Sequence, residues 1–179
     1  MKGSPSPDLA VSWSANSQAT EWTLKLRDGV KFHDGSAFDS GDVIYTFNRV
    51  LNPENKSPAR SAIKMIEKME APDKSTITFK LSTPFADLPL QLMDYRLRII
   101  PEGSGDSIAA SGIGTGPFKL VKFDAAGTTK LEANMDYWEG APGVANMEII
   151  GIGDGQARMQ ALLGGQIDFE NTVTNQPQP

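Results

Sequence analysis

The sequence predicts an α+β or mixed α/β fold, on three observations. Residues 21–27 alternate apolar and polar side chains with the period of a strand, and residues 40–51 repeat their apolar side chains with the period of a helix. From Gly116 onward, short alternating segments outnumber helical ones. A chain of 179 residues that is 39% hydrophobic can bury a real core in one compact domain or two small ones.

In order along the chain, "TEWTLKLRDGVKFHDGS" sets Trp22, Leu24 and Leu26 against Thr23, Lys25 and Arg27, and closes on turns at Asp28-Gly29 and Asp34-Gly35. In "DSGDVIYTFNRVLNP" the period changes. Val43, Phe47, Val50 and Leu51 share one helical face, Asp39 and Asp42 have the spacing of an N-terminal cap, and Asn52-Pro53 ends the run. Pro72-Asp73-Lys74 then separates two extended runs, the second with Ile77, Phe79 and Leu81 on one face, which predicts a hairpin. "FADLPLQLMDY" predicts a short helix with Pro89 near its first turn, and "RLRIIP" a short strand. "GSGDSIAASGIG" reads as a connection. Beyond it the pattern predicts strands over 118–123, 129–133, 147–152 and 166–169. An Ala-Ala-Gly turn, an aromatic corner at Tyr137-Trp138 and a helix over 156–163 lie among them.

Composition removes several function classes. Seventeen basic and twenty-two acidic residues give a net charge of −5, with no Lys/Arg stripe for a nucleic-acid backbone. With no cysteine, neither disulfide, thiolate metal site nor Cys nucleophile can form. No apolar run approaches the roughly 18 residues of a bilayer span, and no secretion signal opens the chain, which predicts a soluble polypeptide. His33 beside Asp34 could suggest acid–base work, but no Ser, Cys or second His stands at relay spacing, so it reads as a structural hydrogen-bonder in a turn. The acids form no calcium-loop pattern, and Trp13, Trp22 and Trp138 read as packing residues. Catalytic residues, metal ligands and cofactors are accordingly expected to be absent.

Two glycine clusters raise the possibility of a phosphate cradle. "IIGIGDGQARMQALLGGQIDFE" has the strand, glycine turn, helix, acid layout of a dinucleotide site, with Gly151, Gly153 and Gly155. It departs from G-x-G-x-x-G because Gln156 follows directly; the alternative is a plain strand-to-helix turn capped by Asp154. "GIGTGPFKL" lacks the Lys-Ser or Lys-Thr of a P-loop, and Pro117 deletes an N–H donor. A backbone corner explains it better.

The ordered set "PDLAVSW", "EWTLKLRDGVKFHDGSAF", "SGDVIYTFNRVLNP", "MEAPDKSTITFKLSTPF", "GTGPFKL", "NMDYWEG" and "ARMQALLGGQIDF" resembles the family 5 extracellular solute-binding proteins, the dipeptide and oligopeptide receptors of ABC importers. The resemblance runs over residues 7 to 173. It implies a fragment of the two-lobed type II periplasmic-binding-protein fold. Residues 7–101 would be the family's extra domain, 102–115 a connection and 116–173 part of the ligand lobe as a mixed sheet with one helix. Residues 1–6 read as a remnant of cloning and 174–179 as a tail. It further implies a periplasmic or cell-surface receptor without enzymatic activity, which closes on a peptide or another small solute and presents it to membrane permease subunits. Asp94, Tyr95, Arg96, Asn171 and Thr172 would line the cleft, the amide and hydroxyl groups serving a peptide backbone and the charges a terminus. In such a chain Gly116 would supply backbone freedom and Pro117 would fix the start of the strand. A lone fragment is expected to bind peptide poorly and to self-associate through unpaired strands. A nucleotide-dependent enzyme fragment using the Gly151–Gly155 turn is the competing expectation.

Overall fold

The computed structural model describes residues 4–170. Four strands, β1 (Ala10–Ala15), β2 (Glu21–Leu26), β3 (Ile66–Asp73) and β4 (Thr76–Leu81), form an antiparallel sheet in the order β1-β2-β4-β3. The alternation in β2 is realised in burial, with Trp22, Leu24 and Leu26 inside and Glu21 and Lys25 outside. The β2–β4 register sets Trp22 opposite Phe79 and Leu24 opposite Ile77, so the two apolar rows make one face. Helix α1 (Ser40–Leu51) covers that face with Val43, Phe47 and Val50, and the Phe47 and Phe79 rings lie 5.1 Å apart.

The helix begins where the capping pattern places it. Asp39 accepts from the Gly41 N–H and Asp42 accepts from the Asp39 N–H, so two N–H groups that the helix itself leaves unpaired are satisfied reciprocally. Short helices α2 (Arg60–Ile63) and α3 (Leu88–Leu92) add fully buried Ile63 and Leu88 to the core, and Pro89 sits in the first turn of α3.

After a single turn of helix, α4 (Ile108–Ser111), the chain crosses to a second, three-stranded antiparallel sheet. Its strands are β5 (Phe118–Lys122), β6 (Thr128–Ala133) and β7 (Asn146–Ile150), in the order β5-β6-β7, and helix α5 (Gly155–Leu163) follows. The two units are unequal. Among the described residues every buried apolar side chain lies between Trp22 and Leu97 except Ala161, whereas Val121, Phe123, Ile149 and Leu163 stand exposed on the second unit.

Several local expectations change. β1, α2 and α4 form where the pattern gave no element. Residues 96–101 are not a strand: the Ile100 N–H and C=O both bond to the Thr46 hydroxyl, and the Glu102 N–H donates to Asp42. Ile100 and Glu102 therefore place backbone groups on α1 side chains, while the Arg96 and Leu97 N–H groups turn back onto Asp94, and no sheet neighbour is used. Residues 166–169 are likewise not a strand. The Gln166 and Ile167 N–H groups turn back onto the Ala161 carbonyl at the end of α5.

Candidate functional site

The crossing segment 112–117 meets the first unit at His33. Gly112 ends α4 with φ of +59°, a backbone conformation that favours glycine, and a Cβ placed there would also crowd Leu120, 2.7 Å from Cδ2 and 3.1 Å from Cβ. Gly116, expected to supply the freedom, has no such φ and open space around it, so the corner is at Gly112. What Gly116 contributes is its carbonyl, which lies 3.0 Å from His33 Nε2 and 3.0 Å from Asn134 Nδ2. A second contact joins the units nearby: the Arg27 guanidinium lies 4.1 Å from the centre of the Trp138 ring, and its Nε–H donates to the Asp8 carbonyl. Tyr137, packed on Trp138, donates to Glu139, and its own burial, reinforced by that carboxylate, pushes its hydroxyl up to about 12.

Beneath this junction lies a cavity of about 840 Å³, whose lining includes Leu24, Phe47, Phe79, Leu97, Ile113 and Trp138. The lining is apolar, and Asp8, Asp94 and Arg98 are its charged members. A free peptide brings two charged ends and a row of amides, which need partners once water is removed. This cavity offers few, and part of its wall is open to solvent, where Met93 is 57% exposed.

The residues expected to line a cleft fare differently. Asp94 and Arg96 close on each other through a forked ion pair, and Arg96 also donates to the Pro58 carbonyl. The guanidinium, with help from the Arg96 N–H, holds the Asp94 carboxyl down at about 2. Both charges are thus committed locally. Tyr95, between them in sequence, is 74% exposed, with the Arg96 guanidinium 5.8 Å from its ring. Asn171 and Thr172 lie outside the described residues.

The turn at 151–155 is built as a strand-to-helix turn. Asp154 accepts the Ala157 N–H at 2.8 Å, taking a donor that an anion would need. Arg158 donates to the carbonyls of Ile152 and Gly153, and its Nε lies 2.9 Å from Glu170. These carbonyls converge on a cation that the protein itself supplies, the reverse of a phosphate nest. Among the described residues no group of three or more His, Cys, Asp or Glu could hold a metal ion, and no helix is long and apolar enough to cross a membrane.

Comparison with known proteins decides the family. The sequence model described as bacterial extracellular solute-binding proteins, family 5 Middle, matches residues 4–179. The chain belongs to this family. The glutathione-binding protein GsiB of Pectobacterium atrosepticum is 32% identical over 166 residues, which make up 90% of this chain and 32% of that protein. Di/tripeptide-binding protein 2 of Pseudomonas aeruginosa is 30% identical over 182 residues, covering 87% of this chain and 34% of the relative. In structure, the periplasmic binding protein AgaA of Agrobacterium tumefaciens R10, solved with agropinic acid, superposes with a TM-score of 0.81 at 31% identity, over 90% of this chain and 34% of that one. The chain thus spans about a third of the length of the curated relatives it matches.

The fold is accordingly part of the type II periplasmic-binding-protein architecture. These family 5 relatives are solute-binding proteins and not enzymes, and the Gly151–Gly155 turn gives no support to a nucleotide-dependent alternative. The signal missed in the sequence was the pairing of His33 with the glycine segment: both stretches stood out, but nothing local tied one to the other.

Proposed function

We propose that this family 5 chain is part of a receptor that captures a peptide or similar small solute in the periplasm or at the cell surface and hands it to the permease of an ABC importer. The observation that carries the reading is the family match over residues 4–179. Relatives named for di- and tripeptides and for glutathione favour short peptides among the solutes. In this reading Tyr95, with the Asp94–Arg96 pair holding its backbone in place, faces the solute, and Asn171 and Thr172 would complete that side. The rest of the enclosure comes from segments beyond this third of the fold, because removing a solute from water and pairing its charged ends takes two jaws.

Calorimetry tests this. A polypeptide joining this chain to the remaining segments of the family fold is expected to bind within a mixed dipeptide and tripeptide library at micromolar strength or tighter. The chain alone is expected to give no heat with that library, NAD or ATP. Binding by the chain alone, or by neither polypeptide, overturns the reading.

A second expectation concerns the chain by itself. β5 and β7 are the outer strands of the second sheet among the described residues, and β7 carries exposed Met147, Ile149 and Ile150. An outer strand with unpaired backbone groups and apolar side chains associates with another copy. Size-exclusion chromatography with light scattering is expected to show species heavier than one chain, increasing with concentration. A monomer at every concentration would remove self-association from this account.

A further inference from the structure

His33 is the chain's single histidine, and its ring contacts define which nitrogen carries the proton. Nδ1 lies 3.2 Å from the Gly114 nitrogen, whose N–H can only donate, so Nδ1 must present its lone pair. Nε2 lies 3.0 Å from the Gly116 carbonyl, which can only accept, so Nε2 must carry the hydrogen. Both contacts are satisfied together by one form, the neutral Nε2–H tautomer. The backbone adds a third bond, from the His33 N–H to the Gly114 carbonyl at 2.9 Å.

The Gly116 carbonyl is shared. Asn134, 2% exposed, donates to the same oxygen from Nδ2, while its own N–H donates to the Pro117 carbonyl at 2.8 Å and its Oδ1 accepts the Asp136 N–H. One oxygen thus receives an imidazole from the first unit and a carboxamide from the end of β6 in the second. Pro117 follows at once, and β5 starts at Phe118. A peptide plane gripped from both sides next to a proline has little freedom to rotate.

We propose that His33, held as the Nε2–H tautomer, is a positioning residue that acts with Asn134 through the Gly116 carbonyl to set the direction in which the three-stranded sheet leaves the first unit. The inference stands on this geometry whether or not the assembled receptor takes peptides. Its consequence for a receptor is that the angle between the units is fixed at the Gly116 carbonyl.

With one histidine, the imidazole ¹⁵N spectrum of the intact chain at alkaline pH has a single source. It is expected to show a protonated Nε2 with a slowly exchanging hydrogen and an unprotonated Nδ1. Tautomer averaging, or a proton on Nδ1, overturns the proposal. Residual dipolar couplings give the second readout. His33→Ala is expected to change the orientation of β5-β6-β7 relative to β1-β2-β4-β3 while couplings within each sheet stay constant. His33→Gln, whose amide offers a donor and an acceptor at similar reach, is expected to restore it. An unchanged orientation in His33→Ala, or no recovery in His33→Gln, would count against the assignment. If His33→Ala does not fold, the ring spectrum decides without any substitution.

Discussion

Phe79→Ala is expected to destabilise the chain by about 3–5 kcal/mol, the range for truncating a buried phenylalanine. Phe79 is 1% exposed and central: Trp22 stands opposite it on β2, Met69 opposite it on β3, and the Phe47 ring of α1 lies 5.1 Å away. Removing the ring therefore opens a void bounded by two neighbouring strands and a helix, none of which can move in without breaking its own register. Against the roughly 5–15 kcal/mol that holds a typical domain together, this leaves little. Urea unfolding followed by circular dichroism should show a lower midpoint with an unchanged slope. Phe123→Ala serves as the contrast. Phe123 is 64% exposed, and its loss should fall within about 0.5 kcal/mol of zero. A small effect at Phe79, or an equal one at Phe123, would mean that the core is not centred on the first sheet.

That contrast also shows what the sequence made legible. α1 could be read because both of its determinants are local: an apolar face every three to four residues, and two aspartates three residues apart at its start. β2 and β4 could be read because each buries one face only, and alternation reports that condition. β1 was missed although Val11, Trp13 and Ala15 alternate with Ser12 and Ser14, and burial does not follow that alternation, since Ala10 to Ala15 is exposed or half-buried throughout. Residues 96–101 were misread because an apolar run gives no sign that its backbone will bond to Thr46 and Asp42, more than fifty residues earlier.

Non-local pairing limits the site in the same way. The density of glycines in 112–116 announced a corner, but which glycine turns it depends on Leu120 pressing on Gly112. His33 could be recognised as a hydrogen-bonder in a turn, yet its partners lie 81 and 83 residues away. Asp94 and Arg96 posed the opposite problem. Their charges were plain in the sequence, but the pattern gave no sign that each would take the other, two residues away, as its partner.

Asp42→Ala is expected to cost about 2–4 kcal/mol, since it strands two partly buried N–H donors, each at the lower end of the roughly 1–3 kcal/mol of a lost partner. Asp42 is 7% exposed. One carboxylate oxygen accepts the Asp39 N–H at 2.9 Å, and the other accepts the Glu102 N–H at 2.8 Å. A single side chain thus starts α1 and ties down the segment that leads to the crossing. Burial pushes its carboxyl above the ordinary 3.8; the two N–H bonds oppose that push, and the charges of Asp39 and Asp34 add to it.

The folded chain therefore holds the Asp42 proton to higher pH than the unfolded chain does. Its contribution is full below about pH 3.8 and is lost as pH rises through the raised value. Other carboxyls act in the opposite sense. Glu70, held at about 2 by Lys68 and Lys80, and Asp94, held at about 2 by Arg96, stabilise the fold above their ordinary values and lose that contribution as pH falls. The slope of the whole chain mixes the two, so the informative quantity is a difference. Asp42→Asn keeps one acceptor, turns an NH₂ toward the second donor and removes the titration. It is expected to destabilise at neutral pH, and more severely as pH falls toward about 4, where the native carboxyl regains its proton. Urea melts of both proteins across that window give the comparison. A constant difference between them, or an Asp42→Ala variant within about 0.5 kcal/mol of the native chain, would show that the carboxylate is solvated and that the start of α1 holds without it.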